Sequence, residues 1–415
     1  MDIQRFTVTG IEYGADDPAL QAALAKAHDA QERPRCLCVS GGVEMYIARH
    51  RQFVLKRMPG SGMRHHPECP SYEPDAQQSG LGELVGEAVL EPTPGSFELR
   101  VNFPWMRVAG RAVPKGEPQD PAEVVVARKR MSLRALMHFL FERAGLNRWT
   151  PAMQGKRNQG VLHKYLLEAA ESVTVRGLSL SERLYVPEPF SEEGREGAAS
   201  RRRAKLSVLH PRNGQSPLAI ALGEFKACDT TALGCRVWIK HAPDAPLLAD
   251  ARTWGRIERT FGALLEARHA DTNQRVRVVM AALIRARREH TYEIDAASMM
   301  LTSEHWIPLD GVHELDLLGE LVAQRRRFLK PLRYDARTAA AFPNALLLDA
   351  GTKAVPLHVV SAFMSAKERA IKEKSAQAAD GWIWRNDEPM PQLPVTHHPG
   401  GGRRDAAGRD GAGRT

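Results

Sequence analysis

The chain lacks any long apolar run, any visible secretory signal and all but a few cysteines. A membrane-spanning helix requires about 18 consecutive apolar residues, and no stretch of the sequence supplies them. The N-terminus has no basic region followed by an apolar core, so it does not resemble a signal peptide. These absences predict a cytoplasmic protein that has no membrane partner.

The sequence does have the length and the apolar content for more than one core. A chain of 415 residues exceeds the size of a single compact core, which predicts roughly two or three domains. Hydrophobic residues make up 43% of the chain, enough to bury those cores. We therefore expect a multidomain globular protein.

The net charge is positive and is concentrated in short runs. The formal charge is +9, and arginine runs occur at 201–203, 285–288 and 325–327. Such runs suit phosphate backbones, because each neutralised phosphate releases counterions. They are also the ordinary composition of a solvated protein face. Nucleic acid, DNA in particular, is therefore a predicted partner, although the charge alone does not require it.

Three of the five cysteines and a histidine pair flank a predicted β-hairpin with strands at 43–47 and 52–56. The candidate ligands are Cys36, Cys38, His65, His66 and Cys69. A hairpin between them brings both ends into one tetrahedral N/S site, which predicts a structural Zn²⁺. The alternative is a set of buried thiols with a chance histidine pair. Spacing alone does not separate the two histidines, and a cytoplasmic setting disfavours a structural disulfide.

Two helices are predicted in the centre of the chain. The first spans 132–142 with Ser132 as its cap, and the second spans 159–172. Lys156 and Arg157 precede the second helix, where a winged-helix module would place basic residues of a recognition helix. An ordinary α-hairpin with a charged rim is the alternative interpretation, because no base-reading constellation is visible.

A mostly antiparallel sheet is predicted after the helix pair. Its strands are expected at 184–186, 204–209, 218–222 and 236–240, with a mobile polar insertion at 191–203. Glu224 and Lys226 form a Glu-x-Lys at the end of an apolar strand, either as a second candidate for nuclease chemistry or as an exposed ion pair. Cys228 and Cys235 have no histidine-rich neighbourhood, so we expect no second metal site there.

The stretch from 306 to 384 organises the C-terminal part. It shows a helix carrying Glu314, three short apolar runs, a basic helix at 366–374 and a final aromatic run at 382–384. This order of helix, three strands, helix and strand is typical of a compact α/β unit. It resembles the restriction-endonuclease-like core.

That resemblance implies a carboxylate site for Mg²⁺ at a phosphodiester. Glu314 fills the position on the helix, but Pro343-Asn344 stands where Pro-Asp is expected, and the third strand offers His358 without an acid or a lysine. The positions of this degenerate site are Glu314, Asn344, Asp349 and His358. The alternative is an active metal-dependent nuclease in which Mg²⁺ is held by Glu314 with Asp349 or Asp335.

Basic residues near these elements are the predicted contacts to nucleic acid. A helix such as 366–374 can lie along a phosphate backbone or form a solvated face. The candidate nucleic-acid-binding residues are Lys156, Arg157, Arg326, Lys330, Lys367 and Lys372.

Longer runs resemble a known family. The run 57–62 (RMPGSG) with the run 65–74 (HHPECPSYEP), supported by 146–149, 155–157 and 327–334, is similar to domain-of-unknown-function family 1173 over most of the chain. The resemblance favours His65 as the ligand and implies Pro-Asp where this chain has Pro343-Asn344. It also implies a mobile-element context, with other mobile-element proteins as partners.

The combined expectation is an α+β multidomain protein. Its predicted parts are a zinc-binding hairpin module (1–80), a central helix pair with antiparallel sheet (81–305), a degenerate nuclease-like α/β domain (306–390) and a disordered tail (391–415). The leading hypothesis is a nucleic-acid-binding accessory factor that is not an enzyme. A metal-dependent nuclease and a protein–protein adaptor without a nucleic-acid role are the alternatives.

Overall fold

A computed structural model describes residues 4–49, 52–108, 129–211 and 214–397. Within these ranges the chain forms a mixed α and β structure with eight α-helices and several separate sheets. This confirms the α+β prediction, whereas the predicted domain boundaries stay predictions. In these same ranges, no helix combines the length and the apolar content that crossing a bilayer requires.

The N-terminal part is a five-stranded sheet with one helix packed on it. Its elements are β1 (Arg5–Val8), β2 (Ile11–Gly14), α1 (Leu20–Asp29), β3 (Arg35–Cys36), β4 (Val43–Arg49) and β5 (Phe53–Arg57). The strand order is β2-β1-β3-β4-β5, and the predicted hairpin is the antiparallel pair β4–β5. β3 ends at Cys36, so the first pair of cysteines is anchored in the sheet.

The next part contains short strands and the predicted helix pair. Its elements are β6 (Val89–Thr93), β7 (Ser96–Leu99), β8 (Met106–Val108), α2 (Leu133–Arg143), β9 (Arg148–Trp149), α3 (Gln159–Glu171), β10 (Val173–Val175), β11 (Leu178–Ser179), α4 (Leu180–Arg183), β12 (Leu184–Tyr185), α5 (Arg195–Leu206) and β13 (Gln215–Pro217). The Ser132 hydroxyl accepts from the Ala135 amide at 3.2 Å and so caps α2 as predicted.

α5 corrects the expectation of a polar insertion at 191–203 and a strand at 204–209. Its buried residues are Ala199, Arg202 and Leu206, which recur at the spacing of one helix face. The three consecutive arginines and the flanking glycines obscured this weak period in the sequence. Arg202 is buried because it forms an ion pair with Asp244.

A closed barrel follows. Its elements are β14 (Ala219–Thr231), β15 (Gly234–Ile239), β16 (Leu247–Asp250), α6 (Ala251–Ala270), β17 (Val276–Arg288), β18 (Thr291–Ser303) and the short β19 (Pro308–Leu309). β14 pairs with β17 along its first half and with β15 along its second half, which closes the ring β14-β15-β16-β18-β17. Pairing is antiparallel as predicted, except for β16–β18 and the attached β12–β14. A disulfide joins Cys228 of β14 to Cys235 of β15, a bond that the predicted cytoplasmic location does not favour.

The barrel wall separates two apolar cores. On β17, Val279, Ala281 and Leu283 pack toward α2 and α3, whereas the alternate residues pack into the core that contains α6. Successive residues of a strand point to opposite faces. A strand with a core on each side is therefore apolar along its whole length, which explains the unbroken apolar runs of β14 and β17.

The C-terminal elements follow in the predicted order. They are α7 (Leu315–Ala323), β20 (Phe328–Leu329), β21 (Ala345–Leu347), β22 (Val355–Val360), α8 (Ala366–Ala378) and β23 (Trp382–Arg385). The sheet order is β23-β22-β21-β20-β9, with β22–β23 parallel and the remaining pairs antiparallel. The kinship of this unit with nucleases stays a prediction.

Residues 391–397 belong to the fold and not to a free tail. Leu393 is buried, and Arg326 donates to the Pro394 carbonyl at 2.8 Å. The amide of His397 donates to the Asp349 carbonyl at 2.8 Å. The remainder of the predicted disordered tail lies outside the described residues.

Candidate metal centre and charged cluster

Three thiols and one imidazole converge beside the N-terminal sheet. The ligand atoms of Cys36, Cys38, His65 and Cys69 all lie within 4.8 Å of one another. Cys36 Sγ is 3.7 Å from Cys69 Sγ, and His65 Nδ1 is 3.3 Å from Cys38 Sγ and 3.7 Å from Cys69 Sγ. Tetrahedral zinc, with bonds of about 2.3 Å to sulfur and about 2.0 Å to nitrogen, gives edges of about 3.8 Å and 3.5 Å. The cluster has the dimensions of such a site.

The surroundings of the sulfurs suit thiolates. Backbone amides of His66 and Ser71 donate to Cys38 Sγ and Cys69 Sγ, each at 3.4 Å. Gln4 Nε2 lies 3.7 Å from both Cys36 Sγ and Cys69 Sγ. Hydrogen bonds from Cys38 and then Cys69 lower the pKa of the Cys36 thiol, whereas hydrogen bonds with Cys36 and Cys38 raise the pKa of Cys69. Donors around the sulfurs favour the deprotonated form, which is the form that ligates metal. The donor set therefore fits zinc.

The two histidines differ in position. His65 is buried, and its Nδ1 faces the three sulfurs. His66 lies outside the cluster, where its Nδ1 accepts from the Glu68 amide at 3.3 Å. Of the five predicted ligands, the structure therefore brings together Cys36, Cys38, His65 and Cys69 and leaves His66 out.

The loop that carries His65 and Cys69 is fastened to the C-terminal sheet. Arg148 of β9 donates to the carbonyls of Cys69 and Tyr72. Arg327 lies 3.3 Å from Glu68. The loop that carries two of the four cluster residues is thus bonded to the C-terminal sheet.

A second polar cluster is buried in the C-terminal unit. Lys330 Nζ lies 2.7 Å from Asp310 Oδ2 and 3.1 Å from Glu314 Oε1, and Arg333 Nε lies 2.9 Å from Asp310 Oδ2. The Asp310 amide donates to Glu314 Oε2 at 2.8 Å. Each carboxylate is therefore already bound by cations or an amide. A lysine stands between the two acids, where a metal-dependent enzyme would hold a divalent ion.

Asn344 and His358 adjoin this cluster. Asn344 Nδ2 donates to Glu314 Oε1, and its Oδ1 accepts from the Val359 amide at 2.8 Å. The amide side chain therefore bridges α7 and β22 and adds no negative charge. Both ring nitrogens of His358 are buried and have no hydrogen-bond partner among the described residues.

The remaining predicted acids lie elsewhere. Asp349 is paired with Arg326 at 2.8 Å in a separate buried ion pair. Asp335 accepts from the amide and the hydroxyl of Ser132, at 2.9 Å and 2.6 Å, and so supports the start of α2. Within the described residues, neither joins Glu314 in a group of potential metal ligands. Among the described residues, the thiol–imidazole group is the sole convergence of three or more potential metal ligands.

Burial and neighbouring charges shift the pKa values of Asp310, Lys372 and His358. Burial opposes ionisation of Asp310, but Lys330 and Arg333 override it and lower the pKa of Asp310. Burial and the charge of Lys330 lower the pKa of Lys372 to about 7. Burial and the charge of Lys372 lower the pKa of His358 to about 4. His358 is therefore neutral at physiological pH, whereas Lys372 titrates there.

Four of the six residues predicted to contact nucleic acid bond to other groups within the chain. Arg157 donates to the carbonyls of Leu146 at 2.8 Å and His305 at 3.2 Å, and burial lowers its pKa to about 10. Lys372 is buried and donates to the Phe342 carbonyl. Arg326 and Lys330 are occupied by the acids described above. Lys156 and Lys367 are the two predicted residues that lie on the surface.

The two charged residues of the Glu-x-Lys on β14 do not pair with each other. Glu224 is buried and lies 3.2 Å from both Lys240 and Arg277, whereas Lys226 is exposed.

Sequence reasoning missed Asp310 and Arg333 as partners in the C-terminal cluster. Asp310 is four residues before Glu314 on one predicted helix start, and that spacing was the available signal.

Comparison with known proteins gives a family and no activity. Residues 6–387 match the family described as Protein of unknown function (DUF1173). Neither the curated proteins nor the solved structures contain a match. The match spans nearly the entire sequence and includes both the thiol–imidazole cluster and the C-terminal sheet. The chain therefore belongs to this family of proteins of unknown function.

Proposed function

We propose that the protein is a non-catalytic nucleic-acid-binding accessory factor that carries a structural zinc centre. The observation that carries the non-catalytic part is the position of Lys330 between Asp310 and Glu314. A metal ion at this place would have to displace a buried ammonium group that already neutralises both acids. Asn344 supplies no replacement charge.

The nucleic-acid part is supported by the distribution of charge. The chain carries a formal charge of +9, and several exposed basic residues lie on helices and strands that hold them in fixed positions. On α8, Lys367 and Lys374 are exposed while Lys372 is buried. Exposed lysines and arginines bind phosphates through counterion release, which requires no reading of bases.

The zinc centre has a structural role in this proposal. Three sulfurs and one nitrogen close a tetrahedral shell and leave no position for a substrate. The shell holds the loop that Arg148 fastens to the last sheet. Zinc thereby fixes the N-terminal sheet against the rest of the molecule.

The test uses the zinc-replete full-length chain with labelled single-stranded and duplex DNA over a series of salt concentrations. We expect binding that weakens as salt rises, and no cleavage with Mg²⁺ or Mn²⁺. Cleavage that disappears in Glu314→Gln would overturn the proposal in favour of a nuclease. Absence of binding at low salt would overturn it in favour of a protein–protein adaptor.

A further inference from the structure

The barrel has a specific strand arrangement. Its ring order is β14-β15-β16-β18-β17, the third and fifth strands pair in parallel, and α6 lies between the third and fourth strands. This is the topology of the OB-fold, a five-stranded Greek-key barrel. OB-folds bind oligonucleotides or oligosaccharides across their second and third strands, between two flanking loops. A fold does not determine a ligand, so the chemistry of that face decides.

The second strand, β15, presents an aromatic ring among cations. Its inward residues Cys235, Val237 and Ile239 are buried in the barrel core. Residues of a strand alternate between faces. The outward residues are Arg236, Trp238 and Lys240, of which both basic residues are exposed and the tryptophan is partly exposed. Trp238 Nε1 donates to Asp229 on β14, and this bond fixes one edge of the indole ring.

The two flanking loops lie at opposite ends of this face. Gly234 pairs with Asp250, so the β14–β15 turn, with Leu233 78% exposed, adjoins one end of the face. At the other end, Leu247 pairs with both Val237 and Tyr292. Tyr292 is the second residue of β18, just after the β17–β18 turn. Arg287 and Arg288 are the last two residues of β17, just before that turn, and both are exposed.

The turn end of the face is positively charged. Arg285 is paired with Glu293 at 2.8 Å, whereas Arg287 and Arg288 form no ion pair with any residue that the structure describes. Two arginines of α5 lie close to this end of the face. Burial raises the pKa of Tyr292, and the nearby guanidinium groups of Arg202 and Arg203 oppose that rise. Arg203 is exposed and lies near Tyr292, so α5 adds a further cation close to the turn end of the face.

We propose that this outer face of the barrel binds single-stranded nucleic acid. Trp238 is the stacking platform, and Arg236, Arg287 and Arg288 contact phosphates. Single strands offer unstacked bases to an aromatic ring, whereas a duplex keeps its bases paired and stacked. Exposed cations on either side of an aromatic residue match a polyanion better than a neutral sugar chain. This inference deepens the proposed function and rests on it.

The experiment measures anisotropy of a fluorescein-labelled oligothymidylate of about 15 nucleotides and of a duplex of equal length, with the full-length zinc-replete protein. The variants are Arg287→Glu with Arg288→Glu, Trp238→Ala, and Trp238→Phe. Lys367→Glu with Lys374→Glu makes the same charge change on exposed positions of α8 and tests that helix as the alternative site. The matched control is Lys26→Glu with Lys353→Glu, the same charge change at exposed positions outside both surfaces. Circular dichroism verifies that each variant is folded.

We expect the single strand to bind more tightly than the duplex. The arginine pair should weaken binding at least about tenfold and reduce the log–log salt slope by about 1.4, because each single-strand phosphate contact contributes about 0.7. Trp238→Ala should weaken binding by about tenfold, and Trp238→Phe should retain most of the affinity because a phenyl ring also stacks.

Other outcomes separate the inference from the proposed function. If the α8 pair weakens binding and the arginine pair does not, the barrel is not the site, while nucleic-acid binding stands. Tighter binding of the duplex, or competition by a neutral oligosaccharide, also overturns the barrel inference. If no nucleic acid binds at low salt, both proposals fail. The arginine pair lies at the exposed end of β17, so it remains informative even if Trp238→Ala does not fold.

Discussion

The N-terminal thiol–imidazole cluster and the C-terminal charged cluster both collect polar side chains in a buried setting. They differ in how those side chains are satisfied. In the first, Cys36, Cys38, Cys69 and His65 turn their lone pairs toward a common centre. In the second, the lone pairs of Asp310 and Glu314 are bound by cations of the chain itself. A buried polar cluster indicates an external ligand only where its lone pairs are not already bound by other residues of the chain.

The same contrast explains why acid counting is a poor guide to catalysis. Glu314 matches a nuclease motif by position, but its carboxylate is already engaged by Lys330 and Asn344. The cysteines match a zinc motif with a tight spacing between the first pair, and here the geometry fits. The contacts of a motif residue therefore say more about its chemical role than its identity does.

The largest expected effect is the loss of zinc. Cys69→Ser should remove the metal and unfold the N-terminal module, because the binding free energy of structural zinc, on the order of 10 kcal/mol or more, is folding free energy. Metal analysis of the purified protein should fall from about one zinc per chain to a small fraction. Limited proteolysis should then cleave the chain before residue 80.

His66→Ala is the matched control for this prediction. His66 neighbours the cluster but its Nδ1 accepts from Glu68, so the variant should retain its zinc and its protease resistance. The prediction is wrong if Cys69→Ser keeps a full complement of zinc. A variant in which His66, and not His65, controls the metal content would correct the ligand assignment.

Local patterns in the sequence predicted much of the fold. Capping by Ser132, the hairpin between Cys38 and His65 and the element order of the C-terminal unit all depend on periodicity and short spacing. α5 was missed because Arg202 is buried only through its ion pair with Asp244, a partner 42 residues away. A sequence pattern treats such an arginine as exposed.

For the same reason, the sequence predicted the zinc ligands well and the solvent exposure of the basic residues poorly. The zinc ligands lie on either side of one hairpin, so their convergence follows from local structure. Whether Arg157, Lys330 or Lys372 faces solvent depends on contacts made far along the chain, such as Arg157 with the His305 carbonyl. Tertiary packing decides those contacts, and a single sequence does not display it. The barrel was missed because its closure depends on β14 pairing with two partners.

Substitution of Lys330 tests whether its ammonium group stabilises the C-terminal charged cluster. Lys330→Met should destabilise the protein by about 3–5 kcal/mol, because it leaves Asp310 and Glu314 buried without their shared cation. Urea denaturation followed by tryptophan fluorescence measures the difference. Lys353→Met, at an exposed turn position, is the control and should stay within about 0.5 kcal/mol of the parent. Equal effects of the two variants would show that the ammonium group is not an integral part of the cluster.

The last prediction concerns pH and is the smallest when it is measured one pH unit at a time. Burial beside Lys330 lowers the pKa of Lys372 from 10.5 to about 7 in the folded state. Between these values the unfolded chain binds more protons than the folded one, so Lys372 makes stability rise with pH across this window, by up to about 1.4 kcal/mol per unit. Lys372→Met should remove that slope, whereas Lys374→Met, exposed on the same helix, should keep it. Denaturation midpoints measured from pH 7 upward compare the variants, and an unchanged slope in Lys372→Met would show that the buried amine stays charged.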